Sequence, residues 1–262
     1  MKKYVCYTFL SNGYDDLKQH THVCKDWDYV CFTDSKELLH KRKVGVWKIK
    51  KTKCTKYDSK RNSGWHKTHP HVLFPKCETS IWIDGNVDIL TDYLENIVKK
   101  NKKDMLVPLH YERTCIYDET IVVKETDHDV PEKCDETYAF LVAEKMPKKY
   151  GLNETNIMIR KHNKDKIKSI DELWWDCIQK YSKRDQLSFS YCLFKHGVKV
   201  EDIAFPNARI DHTNFKIIGH NYSKKAEPSL RKFIVRIICL FIFNQQKRRK
   251  FRRAHETKQK KS

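Results

Sequence analysis

The sequence predicts one α/β domain with a mostly parallel central sheet flanked by helices, followed by a basic tail. Several short segments are apolar without alternation, which is typical of strands covered on both faces. Polar turns and helix-like segments separate these strands, as in the βαβ units of a parallel sheet. The 262 residues are enough for one large domain with a tail. We place the domain at residues 1–223 and the tail at residues 224–262.

The first predicted strand covers residues 3–10 and ends in a Ser-Asn-Gly turn at residues 11–13. Thr8 lies near the end of this strand and is a candidate for binding a nucleotide. Residues 15–23 are predicted to form a short helix.

A second buried strand is predicted at residues 28–32, with Asp34 and Ser35 directly after it. Either side chain can cap the helix that begins at Lys36. Alternatively, Asp34 can hold a ribose hydroxyl or a base edge, because ligands of open α/β sheets bind at the carboxyl ends of the strands.

A basic segment at residues 56–75 follows a predicted strand at residues 44–50. Lys60, Arg61 and Lys67 can neutralise a diphosphate, and Trp65 can stack on a base or a sugar. The alternative is a solvated basic helix with one tryptophan anchored in the core.

The most informative segment is the predicted strand at residues 80–83, which ends in Asp84, Gly85 and Asn86, with Asp88 two positions further. Carboxylate and amide oxygens are suitable ligands for a hard divalent cation that keeps open positions for phosphate oxygens. The alternative is an ordinary Asp-Gly-Asn surface turn.

The later elements follow from hydrophobic periodicity. We predict a helix at 93–101, a strand at 104–109, a strand at 155–160, a helix at 166–181, a helix through 191–193 and a last strand at 198–205. Ser182 and Asp185 resemble a capping arrangement before the helix through 191–193. Residues 120–148 show only weak periodicity, so the sequence assigns them no element.

Cysteine spacing and charge restrict the class of protein. The ten cysteines include no Cys-x-x-Cys pair and follow no signal peptide, so we expect reduced thiols in a cytosol and no structural zinc. The formal net charge is +19, of which +12 falls in residues 224–262. Such a tail can bind nucleic acid or an anionic membrane surface.

The order of the motifs resembles a GT-A-type nucleotide-sugar glycosyltransferase. More narrowly, the chain resembles the TOD/MUCI-type glycosyltransferase-like family and is similar to its bacterial members. The likeness covers roughly residues 4–220 and is carried by YVCFTD at 29–34, the segment 60–71 with its Lys67 and Pro-His pair, WIDGN at 82–86, residues 151–163 and RDQLS at 184–188. The combination of WIDGN with RDQLS is more specific than either motif alone.

The resemblance implies a GT-A-like (Rossmann-like) domain with an Asp-x-Asp-type site at Asp84 and Asn86. This site would hold Mn²⁺ or Mg²⁺ against the diphosphate of a nucleotide sugar. Asn86 replaces the second acid, and an amide oxygen binds a cation more weakly than a carboxylate. Asp88 is a further candidate ligand, and a late histidine would complete the metal shell, with His220 preferred to His212.

Glycosyl transfer also requires an acid near the acceptor if the anomeric centre inverts. Asp185 is the preferred candidate for deprotonating an acceptor hydroxyl, with helix capping as its alternative role. Glu154 is a second catalytic candidate and Asp118 a third. The sequence leaves inversion and retention open.

The tail contains an eleven-residue segment at 233–243 that is apolar except for Arg236 and Cys239. As a helix it spans about 16 Å, too short to cross a bilayer, but it can lie in the interface. The basic residues at 247–253 would add attraction to anionic lipid. We therefore expect a cytoplasmic enzyme at the inner face of the cytoplasmic membrane. The alternative for the tail is a last core helix followed by a basic extension.

The expected partners are a nucleotide-sugar donor and a glycan or glycolipid acceptor. Two other functions remain as alternatives: an RNA-binding protein that uses the basic tail, and a metal-dependent phosphohydrolase. The sequence contains no recognised RNA-binding motif, so nucleic acid is not an expected partner.

Overall fold

The computed structural model describes residues 2–11 and 14–219. The strands are β1 (Tyr4–Leu10), β2 (Trp27–Thr33), β3 (Lys43–Val44), β4 (Trp47–Lys51), β5 (Thr79–Ile83), β6 (Val87–Ile89), β7 (Met105–Leu106), β8 (Ile157–Arg160) and β9 (Phe215–Ile217). The helices are α1 (Lys36–Lys41), α2 (Ser59–Thr68), α3 (Pro70–Leu73), α4 (Tyr93–Lys100), α5 (Ile116–Glu125), α6 (Pro131–Ala143), α7 (Asp165–Lys180) and α8 (Gln186–Lys195).

The central sheet has seven strands in the order β3-β4-β2-β1-β5-β8-β7. Strands β4, β2, β1 and β5 are parallel neighbours, whereas β3 and β8 run in the opposite direction. A separate two-stranded sheet pairs β6 with β9. The predicted mixed α/β fold with a mostly parallel sheet is confirmed.

Both faces of the central sheet are buried, because successive strand residues alternate between two hydrophobic clusters. Tyr7 and Trp82 pack into one cluster with α7, α8 and neighbouring helices. Cys6 and Ile81 point the other way and pack with Leu94 of α4. Coverage on both faces explains why these strands lack the alternation of a half-exposed strand.

Three predictions about local structure were wrong or incomplete. Residues 15–23 are not helical, because they bond to distant segments: Oε1 of Gln19 accepts from the N–H of Val46 between β3 and β4 (3.0 Å), and the N–H of His22 donates to the carbonyl of Ile89 in β6 (2.8 Å). Residues 198–205 contain a 3₁₀ turn at Glu201–Ile203 instead of a strand. The unassigned residues 120–148 lie largely in α5 and α6.

Ser35 is the residue that caps α1, since its side chain accepts a hydrogen bond from the N–H of Leu38 (3.4 Å). The predicted capping arrangement of Ser182 with Asp185 is different in the structure. Ser182 donates its hydroxyl hydrogen to Oδ2 of Asp129 (2.6 Å), and Asp185 alone caps α8.

Within the described residues, no helix has the length and apolar character needed to cross a membrane. The nine cysteines of this part are free and buried. The predicted membrane-binding tail, the domain boundary at residue 223 and His220 lie outside the described residues.

Candidate active site

The carboxyl ends of the parallel strands form one edge of the sheet, and the start of the antiparallel β8 meets them there. The backbone N–H of Asp84, directly after β5, donates to the carbonyl of Asn156, directly before β8 (2.8 Å). Residues 84–86 and 154–156 are therefore neighbours at the edge where ligands of α/β sheets bind.

Lys67 brings a positive charge to this edge. It lies in the last turn of α2, and its side chain is almost fully buried. Its Nζ atom lies 2.6 Å from Oδ2 of Asp185, 3.4 Å from Oδ1 of Asp84 and 3.4 Å from Oγ1 of Thr155. The ammonium also lies 5.0 Å from the centre of the Trp82 ring. One buried cation thus joins two carboxylates from distant parts of the chain.

Asp84 is the exposed member of this group, with 39% of its side chain accessible. Its Oδ1 atom accepts a hydrogen bond from Nε1 of Trp82 (2.7 Å), while no contact among the described residues uses Oδ2. Gly85 follows, and a Cβ there would lie 2.6 Å from Cδ2 of Leu10. A side chain at position 85 would therefore require the Leu10 side chain to shift.

Asp185 caps its helix and also pairs with Lys67. Its Oδ1 atom accepts from the N–H of Gln186 (3.1 Å), which caps α8, and its Oδ2 atom accepts from Lys67 and from Oγ1 of Thr155 (3.2 Å). Burial raises the pKa of Asp185, but the charges of Lys67 and Lys60 outweigh it and hold the pKa well below its usual range.

A carboxylate with so low a pKa is a weak general base. The 2.6 Å contact gives Asp185 an electrostatic role that orients Lys67, and proton abstraction by Asp185 stays a prediction.

The other two basic residues of α2 differ in position. Lys60 is half-buried and interacts electrostatically with the same group: the charge of Asp185 raises its pKa, but burial and the charges of Arg184 and Lys67 lower it overall. Arg61 points elsewhere and donates to the carbonyls of Ile178 (3.1 Å) and Tyr181 (3.2 Å). Its guanidinium holds the end of α7, and ligand binding by Arg61 stays a prediction that these contacts do not favour.

Asp88 is also used elsewhere. Its two oxygens accept hydrogen bonds from the backbone N–H (2.8 Å) and the hydroxyl (2.9 Å) of Thr21, so its carboxylate holds the loop before β2 against β6. Metal binding by Asp88 stays a prediction that these two hydrogen bonds do not favour. Asp84 and Asn86 remain, and their oxygen atoms fit a hard cation such as Mn²⁺ or Mg²⁺.

A different group of potential metal ligands lies near the amino end of β2. Donor atoms of Cys24, Asp26 and Glu95 lie within 4.8 Å of one another. However, Nζ of Lys99 lies 2.6 Å from Glu95 and 3.3 Å from Asp26, so the protein already neutralises these carboxylates itself.

Glu154 lies beside the site but is paired. Its oxygens accept hydrogen bonds from Nδ2 of Asn207 (2.8 Å) and from Nε of Arg209. The Arg209 guanidinium lies 5.5 Å from the centre of the Tyr111 ring. Burial lowers the pKa of Arg209, but the hydrogen bond and charge of Glu154, with a contribution from Asp84, raise it overall.

Arg209 is a residue that the sequence analysis missed, since no motif surrounds it. It is one of the residues that line a cavity of about 260 Å³, the others being Leu90, His212, Phe215, Lys216 and Ile217. His212 thus lies on the Arg209 side of the site. Asp34 is exposed directly after β2, and Asp118 is exposed in the first turn of α5.

Three residues at this edge carry buried polar atoms that lack a hydrogen-bond partner: Oγ1 of Thr8, both side-chain amide atoms of Asn156 and Nε2 of Gln186. An unsatisfied buried polar group costs about 1–3 kcal/mol. The sequence analysis selected Thr8 but missed Asn156 and Gln186. The signal for Gln186 was available, because it belongs to the Arg-Asp-Gln-Leu-Ser motif.

Comparison with known proteins agrees with the sequence motifs. The model of the TOD1/MUCI70 glycosyltransferase-like domain matches residues 3–214. The chain is 25% identical over 205 residues to the probable hexosyltransferase MUCI70 of Arabidopsis thaliana. This alignment covers 68% of this chain and 35% of the relative. The match thus spans about a third of the relative's length.

Among solved structures, the chain is similar to the apo form of the bifunctional glycosyltransferase WbbM, with a TM-score of 0.42 and 9% identity over 79% of this chain and 38% of that one. The family model covers most of the residues that the structure describes. The chain therefore belongs to the TOD1/MUCI70 glycosyltransferase-like family.

Proposed function

We propose that this protein transfers a hexosyl group from a nucleotide-diphosphate sugar to a polysaccharide or glycolipid acceptor, with a GT-A-type fold and the help of a divalent metal. Family membership supports glycosyl transfer. The observation that carries the donor assignment is the contact of Lys67 with Asp84 and Asp185 at the carboxyl edge of the sheet. Ligands of open α/β sheets bind at this edge.

The charge arrangement suits a diphosphate leaving group. As the bond between the sugar and the diphosphate breaks, negative charge grows on the diphosphate, and fixed positive groups stabilise that charge. Lys67 and Lys60 supply such groups, and Asp185 keeps Lys67 in place through its 2.6 Å contact. Asp84 and Asn86 would hold the metal, which would supply further positive charge against the diphosphate.

The metal-dependent step is tested by replacing Asp84 with asparagine. We expect Mn²⁺-dependent affinity for UDP or GDP, measured by isothermal titration calorimetry, to fall at least about tenfold, or about 1.4 kcal/mol, because one carboxylate ligand is lost. Asp92→Asn is the control, since Asp92 is exposed and its side chain makes no capping bond. If the wild type binds neither nucleotide, or Asp84→Asn binds as the wild type does, the proposed function is rejected.

A cytoplasmic location at the membrane is a second part of the proposal and rests on the sequence of residues 233–253 alone. We expect the full chain to sediment with vesicles that contain anionic lipid. Replacing the four basic residues at 247–250 with glutamine should weaken this binding strongly, because each basic residue near the surface contributes about 1 kcal/mol. Equal binding to neutral and anionic vesicles would contradict a charge-dependent anchor.

A further inference from the structure

The unpaired polar atoms at the sheet edge are concentrated beside the charged group. Asn156 is 5% exposed and Gln186 is 9% exposed. Among the described residues, only Asn156 has both polar side-chain atoms buried without a partner. Some of the other unpaired atoms, such as Nδ1 of His162, belong to side chains whose second polar atom is bonded, and others, such as Oγ of Ser80, belong to side chains with a single polar atom. A fully unpaired amide is unusual, because buried polar groups are nearly always satisfied.

The backbone contacts place both amides at the candidate site. The carbonyl of Asn156 accepts from the N–H of Asp84 (2.8 Å), and its neighbour Thr155 donates to Asp185 (3.2 Å). Gln186 directly follows Asp185, and its N–H donates to the Asp185 side chain. The backbones of Asn156 and Gln186 therefore adjoin the two carboxylates that Lys67 joins.

The strand order suggests which part of a donor each residue meets. Asp34 follows β2, Thr8 lies in β1, Asp84 follows β5 and Asn156 precedes β8, and these strands are consecutive neighbours in the sheet. A donor whose diphosphate lies at Asp84 can therefore extend towards β1 and β2 at one end and towards β8 and α8 at the other.

We propose that Asn156 and Gln186 form the subsite for the sugar of the donor; this rests on the proposed function. Hexose hydroxyls both donate and accept hydrogen bonds, and a carboxamide offers two donors and an acceptor. A bound sugar would thus satisfy atoms that the protein leaves unpaired. An amide held in this way discriminates between sugars, because a misplaced hydroxyl would leave it unpaired again.

The test uses Asn156→Leu, which keeps the approximate volume and removes the amide. Affinities for UDP, GDP, UDP-glucose, UDP-galactose and GDP-mannose are measured by calorimetry, and the melting temperature is measured without ligand. The quantity compared is the affinity for the preferred nucleotide sugar divided by the affinity for its nucleoside diphosphate. We expect this ratio to be at least tenfold lower in Asn156→Leu than in the wild type. The affinity for the nucleoside diphosphate and the melting temperature should not fall. Gln186→Leu should show the same pattern.

Asn163→Leu is the matched control. Nδ2 of Asn163 donates to the carbonyls of Pro75 (3.1 Å) and Cys77 (2.9 Å), so this variant should melt at a lower temperature and keep the wild-type affinity ratio. An unchanged ratio in Asn156→Leu rejects the subsite. If Asn156→Leu loses affinity for the nucleoside diphosphate, Asn156 binds the nucleotide. If it melts at a temperature as low as that of Asn163→Leu, Asn156 has a structural role. Either result rejects the proposal. Absence of any binding by the wild type rejects the proposed function instead.

Discussion

Replacing Lys67 with methionine is expected to lower the free energy of unfolding by about 3–5 kcal/mol and to abolish sugar transfer. The variant leaves the Asp185 carboxylate buried without its cation, and an uncompensated buried charge is strongly destabilising. It also removes a positive charge from the proposed diphosphate site. Urea unfolding followed by tryptophan fluorescence measures the first effect, and product formation from a nucleotide sugar measures the second.

A second variant separates stability from function. Lys67→Met combined with Asp185→Asn removes both charges. The new amide keeps an oxygen that can accept from the N–H of Gln186 and offers an NH2 that can donate to Oγ1 of Thr155, so most of the lost stability should return without transfer activity. Lys195→Met is the control, because Lys195 forms an exposed pair with Glu144 (3.1 Å) and should lose less than about 1 kcal/mol. Wild-type stability in Lys67→Met would show that the buried pair does not form.

The pH dependence of this effect follows from the two pKa shifts. The pKa of Asp185 is depressed, so its stabilising contribution is present above its unfolded value of about 3.9 and is lost as the pH falls through the lower folded value. Burial lowers the pKa of Lys67, but the charges of Asp185 and Asp84 raise it overall. Its contribution is present below its unfolded value of about 10.4 and is lost as the pH rises through the higher folded value. The contribution of the pair to the stability of the wild type should therefore be constant from about pH 5 to 9. In Lys67→Met, burial without the Lys67 charge raises the pKa of Asp185, so the stability difference in urea unfolding should shrink as the pH falls through that raised value.

The sequence predicted the part of the site that depends on strand periodicity. The apolar segments before Asp34 and Asp84 are strands, and the residues that follow them lie at one sheet edge. The sequence selected Lys67 and Asp185 as separate candidates but did not predict their contact, because the two residues are 118 positions apart.

The sequence could not predict which residues a given side chain contacts, because these contacts depend on the direction of the side chain in the fold. Asp88 and Asp84 are chemically alike and close in sequence, yet only Asp84 contacts Lys67, because Thr21 holds Asp88. Residue type also failed to distinguish Lys67 from Arg61, which lies six positions earlier on the same helix but hydrogen-bonds to the end of α7. Arg209 was missed because its position depends on Glu154, a contact between distant segments without a shared motif.

Replacing Arg160 with methionine is expected to be as destabilising as the Lys67 change, by about 3–5 kcal/mol in urea unfolding. Arg160 is completely buried beneath the site. Its Nη1 atom donates to Oδ1 of Asp171 (2.7 Å), and its Nη2 atom donates to the hydroxyl of Tyr7 (2.8 Å) and to the carbonyl of Lys67 (2.6 Å). The variant therefore leaves a buried carboxylate unpaired and removes a hydrogen bond that holds the last turn of α2.

Because Arg160 holds the backbone of Lys67, it should also position the Lys67 ammonium. Arg160→Met combined with Asp171→Leu replaces the ion pair with apolar side chains, which often restores stability. Nucleotide-sugar affinity should nevertheless stay below that of the wild type, because the Lys67 carbonyl keeps only its 3.2 Å bond from Tyr7. Lys161→Met is the control, since Lys161 makes a partly exposed pair with Asp104 (3.3 Å) and should change neither quantity much. Recovery of both stability and affinity in the double variant would reduce Arg160 to a partner of Asp171, with no part in placing Lys67.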